Sequence, residues 1–304
     1  MAQPLEGKAA VVTGGGRGIG RGIAKALAAH GASVVVADLG AALDGSGGDQ
    51  GPADDVVKEI KDAGGSAAAC YESVATMEGG EQIIQTCVDN FGKIDILVTV
   101  AGILRDRMVF NMTEQEWDDV IAVHLKGTFT CVKHAAILMR QQRGGRIVTF
   151  SSSSGVMGTT GQTNYGAAKS GIAGLTKVVA RDLGKYGVTA NSILPSADTR
   201  MTMTEEVRKA REIRQAAGLP EEFSDEPQDP EDIAPFIVYL ASDKASNVNG
   251  QTFSVRGNLI SLVSQPRIIG AISKDGLWTV DELVETVPKT FGKKVVNQYV
   301  GKAS

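Results

Sequence analysis

Short runs of small and β-branched apolar residues alternate with longer segments of helical period along most of the chain. The runs predicted as strands are residues 8–13, 32–38, 66–71, 95–100, 145–150, 188–194 and 250–255. The segments predicted as helices lie near residues 18–30, 53–64, 78–91, 114–140, 162–185 and 229–242. Strands without a polar face need cover on both sides, and helices between successive strands supply it. The sequence therefore predicts an α/β fold with a doubly wound parallel sheet.

Three regions interrupt this alternation. Residues 39–52 are too rich in glycine for regular structure and are predicted to form a surface loop. Residues 196–230 are polar and charged, and we expect them to cover the crevice beyond the carboxyl ends of the strands, where doubly wound sheets bind ligands. Residues 257–304 are predicted to form a C-terminal extension packed on a main domain of residues 1–256.

Composition excludes several classes of protein. The chain has 31 basic and 35 acidic residues, and no basic run of the kind that binds nucleic acid or a membrane surface. Cys70, Cys87 and Cys131 lack the spacing of metal ligands, so we expect no metal site and reduced, packed thiols. The first residues lack the apolar core of a signal peptide, which favours a cytoplasmic protein.

A glycine cluster, "VVTGGGRGIG", lies at the junction of the first strand and first helix. Gly14, Gly18 and Gly20 would permit a tight turn and let backbone N–H groups approach a pyrophosphate at the helix N-terminus. Asp38 ends the second strand, where a carboxylate accepts hydrogen bonds from an adenosine ribose and repels a 2′-phosphate. This favours NAD over NADP as cofactor, although Arg17 could tolerate that phosphate.

The segment "SSSSGVMGTTGQTNYGAAKSGIAGL" contains candidate catalytic residues. Tyr165 and Lys169 are four residues apart at a helix start and can meet on one face, where an ammonium would lower the pKa of a phenol. Such a tyrosine can exchange a proton with an alcohol oxygen. Ser152, after the fifth strand, could steady the developing oxyanion. Taken singly, a tyrosine–lysine pair is often a surface contact and a serine cluster often a cap.

Together these motifs resemble the short-chain dehydrogenase/reductase family over at least residues 6–256. The residues that carry the resemblance are Thr13–Gly20, Asp38, Ala101-Gly102, Ser152, Tyr165, Lys169 and Asn191–Pro195. Within the family, the stretches "GILRDR" and "VHLKGTF" resemble the (3R)-hydroxyacyl-CoA dehydrogenase branch, which includes a region of peroxisomal multifunctional enzyme type 2 and bacterial stand-alone relatives.

The resemblance implies a seven-stranded Rossmann-type sheet, a homo-oligomer (dimer or tetramer) formed through two long helices, and hydride transfer from a 3-hydroxyacyl-CoA to NAD⁺. Tyr165 would be the acid/base, Ser152 the partner of the substrate oxygen, and Lys169 both the pKa tuner and a ligand of the nicotinamide ribose. The residues implied in cofactor binding are Gly14, Arg17, Gly18, Ile19, Gly20, Asp38, Ser73, Val74, Ala101, Gly102, Tyr165, Lys169 and Thr199.

Three departures from the family pattern leave other functions open. Thr99-Val100 replaces two asparagines, Pro195-Ser196 replaces Pro-Gly, and Arg256-Gly257-Asn258 replaces Asp-Gly-Gly. The first removes two amides beneath the cofactor. These departures motivate one alternative, a nucleotide-binding protein without activity. A second alternative, a dehydrogenase of a steroid or another bulky secondary alcohol, follows from the resemblance, because members of the family often accept both substrate classes.

Other side chains near the expected crevice are ambiguous. His124 stands where the wider family has a catalytic asparagine and the hydroxyacyl-CoA branch has histidine, so we expect it to support a proton relay through its backbone carbonyl without being the general base. Arg105 and Arg107 could meet CoA phosphates or a partner subunit, or form structural ion pairs. Met201 and Met203 would suit an apolar wall or simple packing.

Overall fold

The computed structural model describes residues 3–199, 202, 209 and 228–292. In this part of the chain the sheet has eight strands in the order β3-β2-β1-β4-β5-β6-β7-β8. The strands are β1 Ala9–Thr13, β2 Ser33–Ala37, β3 Ser66–Cys70, β4 Ile96–Thr99, β5 Gly145–Phe150, β6 Val188–Ser196, β7 Thr252–Arg256 and β8 Leu259–Leu262. The first seven pair in parallel, as predicted.

Helices connect the strands and cover both faces. They are α1 Gly18–Ala29, α2 Gly51–Asp62, α3 Met77–Phe91, α4 Glu114–Ile121, α5 Gly127–Gln142, α6 Ser153–Met157, α7 Thr163–Gly184 and α8 Ala234–Ala241. A further helix, α9 Val280–Thr290, follows the last strand. On one face, α1, α2 and α8 bury side chains such as Ile23, Ile60 and Leu240. On the other, α3, α5 and α7 bury side chains such as Ile83 and Met139. The doubly wound fold predicted from the sequence is confirmed.

The eighth strand was not predicted. β8 pairs antiparallel with β7, with Arg256 opposite Leu259, and Gly257 adopts a positive φ of 49° in the connecting turn. The first compact unit therefore runs to Val263, beyond the boundary predicted at residue 256. A Gly-Asn pair between two apolar runs is a recognised hairpin signal, so the sequence did contain this information.

The second compact unit comprises residues 264–304 and contains α9. Thr279 caps that helix by accepting the backbone N–H of Glu282, and the Glu282 carboxylate accepts the N–H of Thr279 in return. The expectation that the C-terminal extension packs on the main domain stays a prediction.

One predicted helix is divided in the structure. The segment predicted at 114–140 comprises α4, a π-helical stretch at Ala122–Lys126 and α5. In the π-helical stretch the N–H of Gly127 donates to the carbonyl of Ala122, five residues earlier. Such bulges insert one residue without breaking the helix and are frequent at functional sites. His124 lies within this one.

The three cysteines are buried and free, as predicted. Burial raises the pKa of the Cys87 and Cys131 thiols to about 12, which keeps both groups protonated. Among the described residues, we find no helix with the length and apolar character needed to cross a membrane.

Candidate active site

The glycine loop joins β1 to α1 and lies against two other backbone segments. A Cβ atom at Gly14 would stand 2.7 Å from the backbone nitrogen of Ala101, and a Cβ at Gly20 would stand 2.0 Å from the carbonyl oxygen of Gly14. Side chains therefore cannot be accommodated at these two positions. The resulting turn brings backbone groups to the start of α1, where the helix end favours a negative charge.

A cavity of about 710 Å³ lies beside this loop. It is lined by eleven of the residues predicted to bind the cofactor: Gly14, Arg17, Gly18, Ile19, Gly20, Asp38, Ser73, Val74, Ala101, Gly102 and Thr199. Tyr165 and Lys169, which were also predicted to contact the cofactor, do not line it. The size of the cavity, its glycine loop and its carboxylate fit a dinucleotide.

Both carboxylate oxygens of Asp38 accept hydrogen bonds from backbone N–H groups. One oxygen accepts from Gly16 at 2.8 Å and the other from Gly40 at 2.7 Å. Arg17, the residue that could have tolerated a 2′-phosphate, donates from its guanidinium to the carbonyl of Ala41 at 3.2 Å. Its guanidinium is thus already engaged with the loop that follows Asp38.

That loop, residues 39–50, reaches the segment after β4, a contact that the sequence did not predict. The backbone N–H of Leu104 donates to the carbonyl of Leu43 at 3.0 Å, and the side chain of Arg105 donates to the carbonyl of Asp44 at 2.8 Å. Leu39, Ala41, Ala42 and Gly45 of the loop join the lining of the cavity. The loop is therefore a wall of the cavity.

Arg105 and Arg107 form ion pairs with α4. Arg105 contacts Asp119 at 3.1 Å, and Arg107 contacts Glu116 at 3.1 Å. These contacts favour the structural interpretation of both arginines over the interpretation as CoA ligands. Met201 and Met203, and most of the segment 196–230 that was expected to cover the crevice, lie outside the described residues.

The candidate catalytic side chains meet beside the cavity. Lys169 is buried in α7, with its Nζ 5.5 Å from the centroid of the Tyr165 ring and donating to the carbonyl of Phe150 at 2.7 Å. Ser152 caps α6 by accepting the N–H of Ser154 at 3.2 Å, and its hydroxyl hydrogen-bonds with the Tyr165 phenol. The structure thus brings together the three residues that the sequence singled out.

Burial governs the acid–base behaviour of this group. It lowers the pKa of Lys169 to about 7 and raises the pKa of Tyr165 above its ordinary value, with the Ser152 hydrogen bond opposing that rise. Lys169 is not among the causes of this shift, and the expectation that it lowers the pKa of Tyr165 stays a prediction. Desolvation disfavours the ammonium form of Lys169 and the phenolate form of Tyr165 at the same time.

His124 is buried between the cavity wall and Tyr165. Its Nε2 lies 2.8 Å from the carbonyl oxygen of Ile103 and 3.0 Å from the nitrogen of Ile103, and its ring meets the Tyr165 ring edge-on at 5.1 Å. A Cβ atom at Gly102 would stand 2.3 Å from His124 Cε1, so this glycine makes room for the imidazole. Burial lowers the pKa of His124 to about 3, so the imidazole is neutral near pH 7 and a poor proton acceptor there.

The positions that depart from the family pattern are also placed. Val100 lines the cavity. The buried hydroxyl of Thr99 has no hydrogen-bond partner among the described residues. The Arg256-Gly257-Asn258 departure forms the turn between β7 and β8.

A family model, adh_short_C2, described as Enoyl-(Acyl carrier protein) reductase, matches residues 14–257. The chain is a short-chain dehydrogenase/reductase. It is therefore an oxidoreductase, and enzymes of this family generally bind a nicotinamide cofactor.

Several relatives of this short-chain dehydrogenase/reductase share about two fifths of its sequence. Hydroxyacyl-CoA dehydrogenase ChsB1 of Mycobacterium tuberculosis is 41% identical over 300 residues, covering 94% of this chain and 89% of that protein. Peroxisomal multifunctional enzyme type 2 of Mus musculus is 40% identical over 90% of this chain, which matches 35% of that larger protein. The 3-oxoacyl-[acyl-carrier-protein] reductase FabG of Staphylococcus aureus is 40% identical over 83% of this chain and 98% of its own.

A solved structure agrees with the fold of this short-chain dehydrogenase/reductase. The crystal structure of a short chain dehydrogenase from Mycobacterium avium matches it with a TM-score of 0.81 at 41% identity, covering 95% of this chain and 96% of that one.

Proposed function

We propose that this enzyme oxidises the 3-hydroxyl group of a 3-hydroxyacyl-CoA, or reduces the 3-oxo form, with NAD as cofactor. The proposed substrate class rests on the 41% identity with a hydroxyacyl-CoA dehydrogenase over nearly the whole chain. The grouping of Ser152, Tyr165 and Lys169 beside a cavity of dinucleotide size supports the reaction type. The cytoplasmic location expected from the sequence stays a prediction.

The glycine loop and Asp38 would hold the cofactor. Backbone N–H groups at the start of α1 would face the pyrophosphate, and the Asp38 carboxylate would face the adenosine ribose. A 2′-phosphate would meet that carboxylate at close range, and Arg17 is already bonded to the loop carbonyls. These contacts support NAD over NADP.

The catalytic side chains would then take separate roles in the reaction. When bound, the cofactor supplies the acceptor for the hydride released from C3. Ser152 would donate a hydrogen bond to the substrate oxygen and hold it against the phenol of Tyr165. Tyr165 would take the hydroxyl proton, and Lys169, with a pKa of about 7, would favour the phenolate whenever it is charged. His124 would remain neutral and hold the backbone at Ile103.

A second candidate substrate is an acyl group on a carrier protein. The 40% identity with FabG, over nearly all of that protein, favours this possibility. Both substrates are acyl thioesters with oxygen at C3, so the same residues would act on either one. The difference lies in the carrier attached to the thioester.

A panel of substrates tests the proposal. Purified enzyme would be assayed by nicotinamide absorbance with NAD⁺ and NADP⁺ side by side, on both enantiomers of 3-hydroxyacyl-CoAs of several chain lengths. A matched 3-hydroxyacyl carrier-protein thioester and a hydroxysteroid would complete the panel. We expect the highest kcat/KM with a 3-hydroxyacyl-CoA and NAD⁺. Turnover of the steroid or the carrier-protein thioester alone would contradict the proposed substrate, and a preference for NADP⁺ would contradict the proposed cofactor.

The proposal includes a homo-oligomer formed through α5 and α7. These two long helices carry apolar side chains that are exposed in the single chain, with Phe129 at 46%, Ile137 at 44% and Val178 at 57%. Exposed apolar groups on neighbouring helices are typical of a subunit interface.

A further inference from the structure

Asn164 immediately precedes Tyr165 in the first turn of α7, and its side chain is entirely buried. Its Oδ1 accepts the backbone N–H of Tyr165 at 2.7 Å. Its Nδ2 donates to the carbonyl of Arg105 at 3.0 Å and to the carbonyl of Glu116 at 2.9 Å. One amide thus joins three segments of backbone, namely the start of α7, the segment after β4, and α4.

The chemistry of an amide matches this place. N–H groups in the first turn of a helix have no partner within the helix, so the N–H of Tyr165 needs an outside acceptor. The two carbonyls opposite need donors, because a buried carbonyl without one is costly. An asparagine offers two donors and an acceptor on one rigid plane, whereas a carboxylate of the same shape offers acceptors only.

The segment that Asn164 holds also borders the cofactor cavity. Its residue Ile103 lines the cavity, and the side chain of Arg105 fastens the loop of residues 39–50 at Asp44. Neighbouring bonds reinforce the junction: the N–H of Arg107 donates to Gly161 at 2.8 Å, and Gln162 donates to Asp106 at 2.8 Å. The backbone of Tyr165 is therefore tied to the same segment that forms the cavity wall.

We propose that Asn164 is a positioning residue that holds Tyr165 at a fixed place relative to the cofactor cavity. This inference rests on the proposed function, because it assigns Tyr165 the proton transfer. It adds a residue that touches neither substrate nor cofactor and acts through the backbone of its neighbour. Since a displacement of about 1 Å can cost roughly 100-fold in rate, a loosened helix start should lower kcat while leaving the binding of substrate and cofactor intact.

The sharpest variant is Asn164→Asp. It keeps the shape and the acceptor for the Tyr165 N–H, removes both donors, and adds a negative charge to the residue that precedes Tyr165. We expect kcat to fall roughly 10- to 100-fold, with KM for the acyl-CoA and for NAD⁺ within about twofold of the wild type. The added charge should also shift the pH–rate profile of oxidation to higher pH, because it disfavours the phenolate.

Asn249→Asp is the matched control. Asn249 also bridges two backbone groups, donating to the carbonyl of Ala180 at 3.0 Å and accepting the N–H of Ala190 at 2.8 Å. It contacts the far end of the same helix, α7. The control should lose stability in thermal unfolding without moving the pH–rate profile.

Three outcomes would overturn the inference: kcat of a folded Asn164 variant within twofold of the wild type, a change confined to KM, or an equal effect of the control. If Asn164→Asp does not fold, Asn164→Ser serves in its place, with the same expected fall in kcat and no shift of the pH profile.

Titration of the phenol separates this inference from the proposed function. The ultraviolet difference between wild type and Tyr165→Phe gives the ionisation of Tyr165 without any substrate. Asn164→Asp should move that ionisation to higher pH, and an unchanged titration in folded Asn164→Asp would contradict the inference. A wild type that turns over no substrate would contradict the proposed function, while this titration would still decide the role of Asn164.

Discussion

At the scale of single residues, His124 shows how the fold settles a question that the sequence raises. A histidine at that position could be an acid, a base or a packed ring. The structure buries it against Tyr165 and ties Nε2 to the backbone of Ile103, and the pKa of about 3 keeps the ring neutral. We expect His124→Asn to retain most of the activity, because an amide can also bond that backbone. A loss of kcat as deep as that of Tyr165→Phe would show that the imidazole itself carries the proton.

The burial of His124 also leads to a prediction for how the stability of the protein depends on pH. The folded pKa of His124 is about 3 and its ordinary value is 6.5, so the unfolded chain binds the proton more readily. The stabilisation that comes from keeping His124 neutral is therefore fully present above pH 6.5 and is lost as the pH falls towards 3. The free energy of unfolding falls by up to about 1.4 kcal/mol per pH unit over that range. In urea unfolding over this pH range, the free energy of unfolding of His124→Asn should fall less steeply with falling pH than that of the wild type. The control His30→Asn, at an exposed residue, should keep the slope of the wild type. Equal slopes in all three proteins would contradict the assigned burial.

At the scale of elements, the loop of residues 39–50 is fastened to the main domain by Arg105. Arg105→Ala removes the bond to the carbonyl of Asp44 and should weaken NAD binding roughly fivefold, a loss of about 1 kcal/mol. Arg107→Ala is the matched control, because Arg107 pairs with α4 and no contact joins it to the loop in the described part of the chain. Fluorescence titration with NADH measures both. An equal weakening in the two variants would show that the loop does not hold the cofactor.

The elements also show what sequence can and cannot predict. The seven parallel strands and their helices follow from apolar runs and helical period, which are local properties. The π-helical stretch around His124 does not, since one inserted residue leaves the apolar pattern of a long helix almost unchanged. β8 was missed although a Gly-Asn pair marks its turn. Within the site, Ser152, Tyr165 and Lys169 were found by spacing, whereas Asn164 and the Arg105 contact depend on bonds across distant segments.

The direction of the pKa shift of Tyr165 could not be predicted from the sequence, for a related reason. Spacing places Lys169 four residues on and suggests that its charge lowers the pKa of the phenol. Desolvation depends on the whole surrounding fold, and it moves both groups toward their neutral forms.

At the scale of the whole molecule, both faces of the sheet are covered by helices, and two of the long helices expose apolar side chains. Val178→Asp places a charge on the exposed face of α7, and we expect it to lower the molar mass measured by light scattering to that of a single chain. Val109→Asp, at a residue exposed to 63% in the segment after β4, is the control and should leave the mass unchanged. A wild type that is already monomeric would contradict the proposed interface.

The most direct test of the central claim is the initial rate of NADH formation from NAD⁺ and a (3R)-hydroxyacyl-CoA, measured for wild type and Tyr165→Phe at a series of pH values. We predict turnover by the wild type that rises with pH, because burial raises the pKa of Tyr165 and oxidation needs the phenolate. The variant should bind NADH normally and lose at least about 100-fold in kcat. No turnover by the wild type, or undiminished turnover by Tyr165→Phe, would contradict the account.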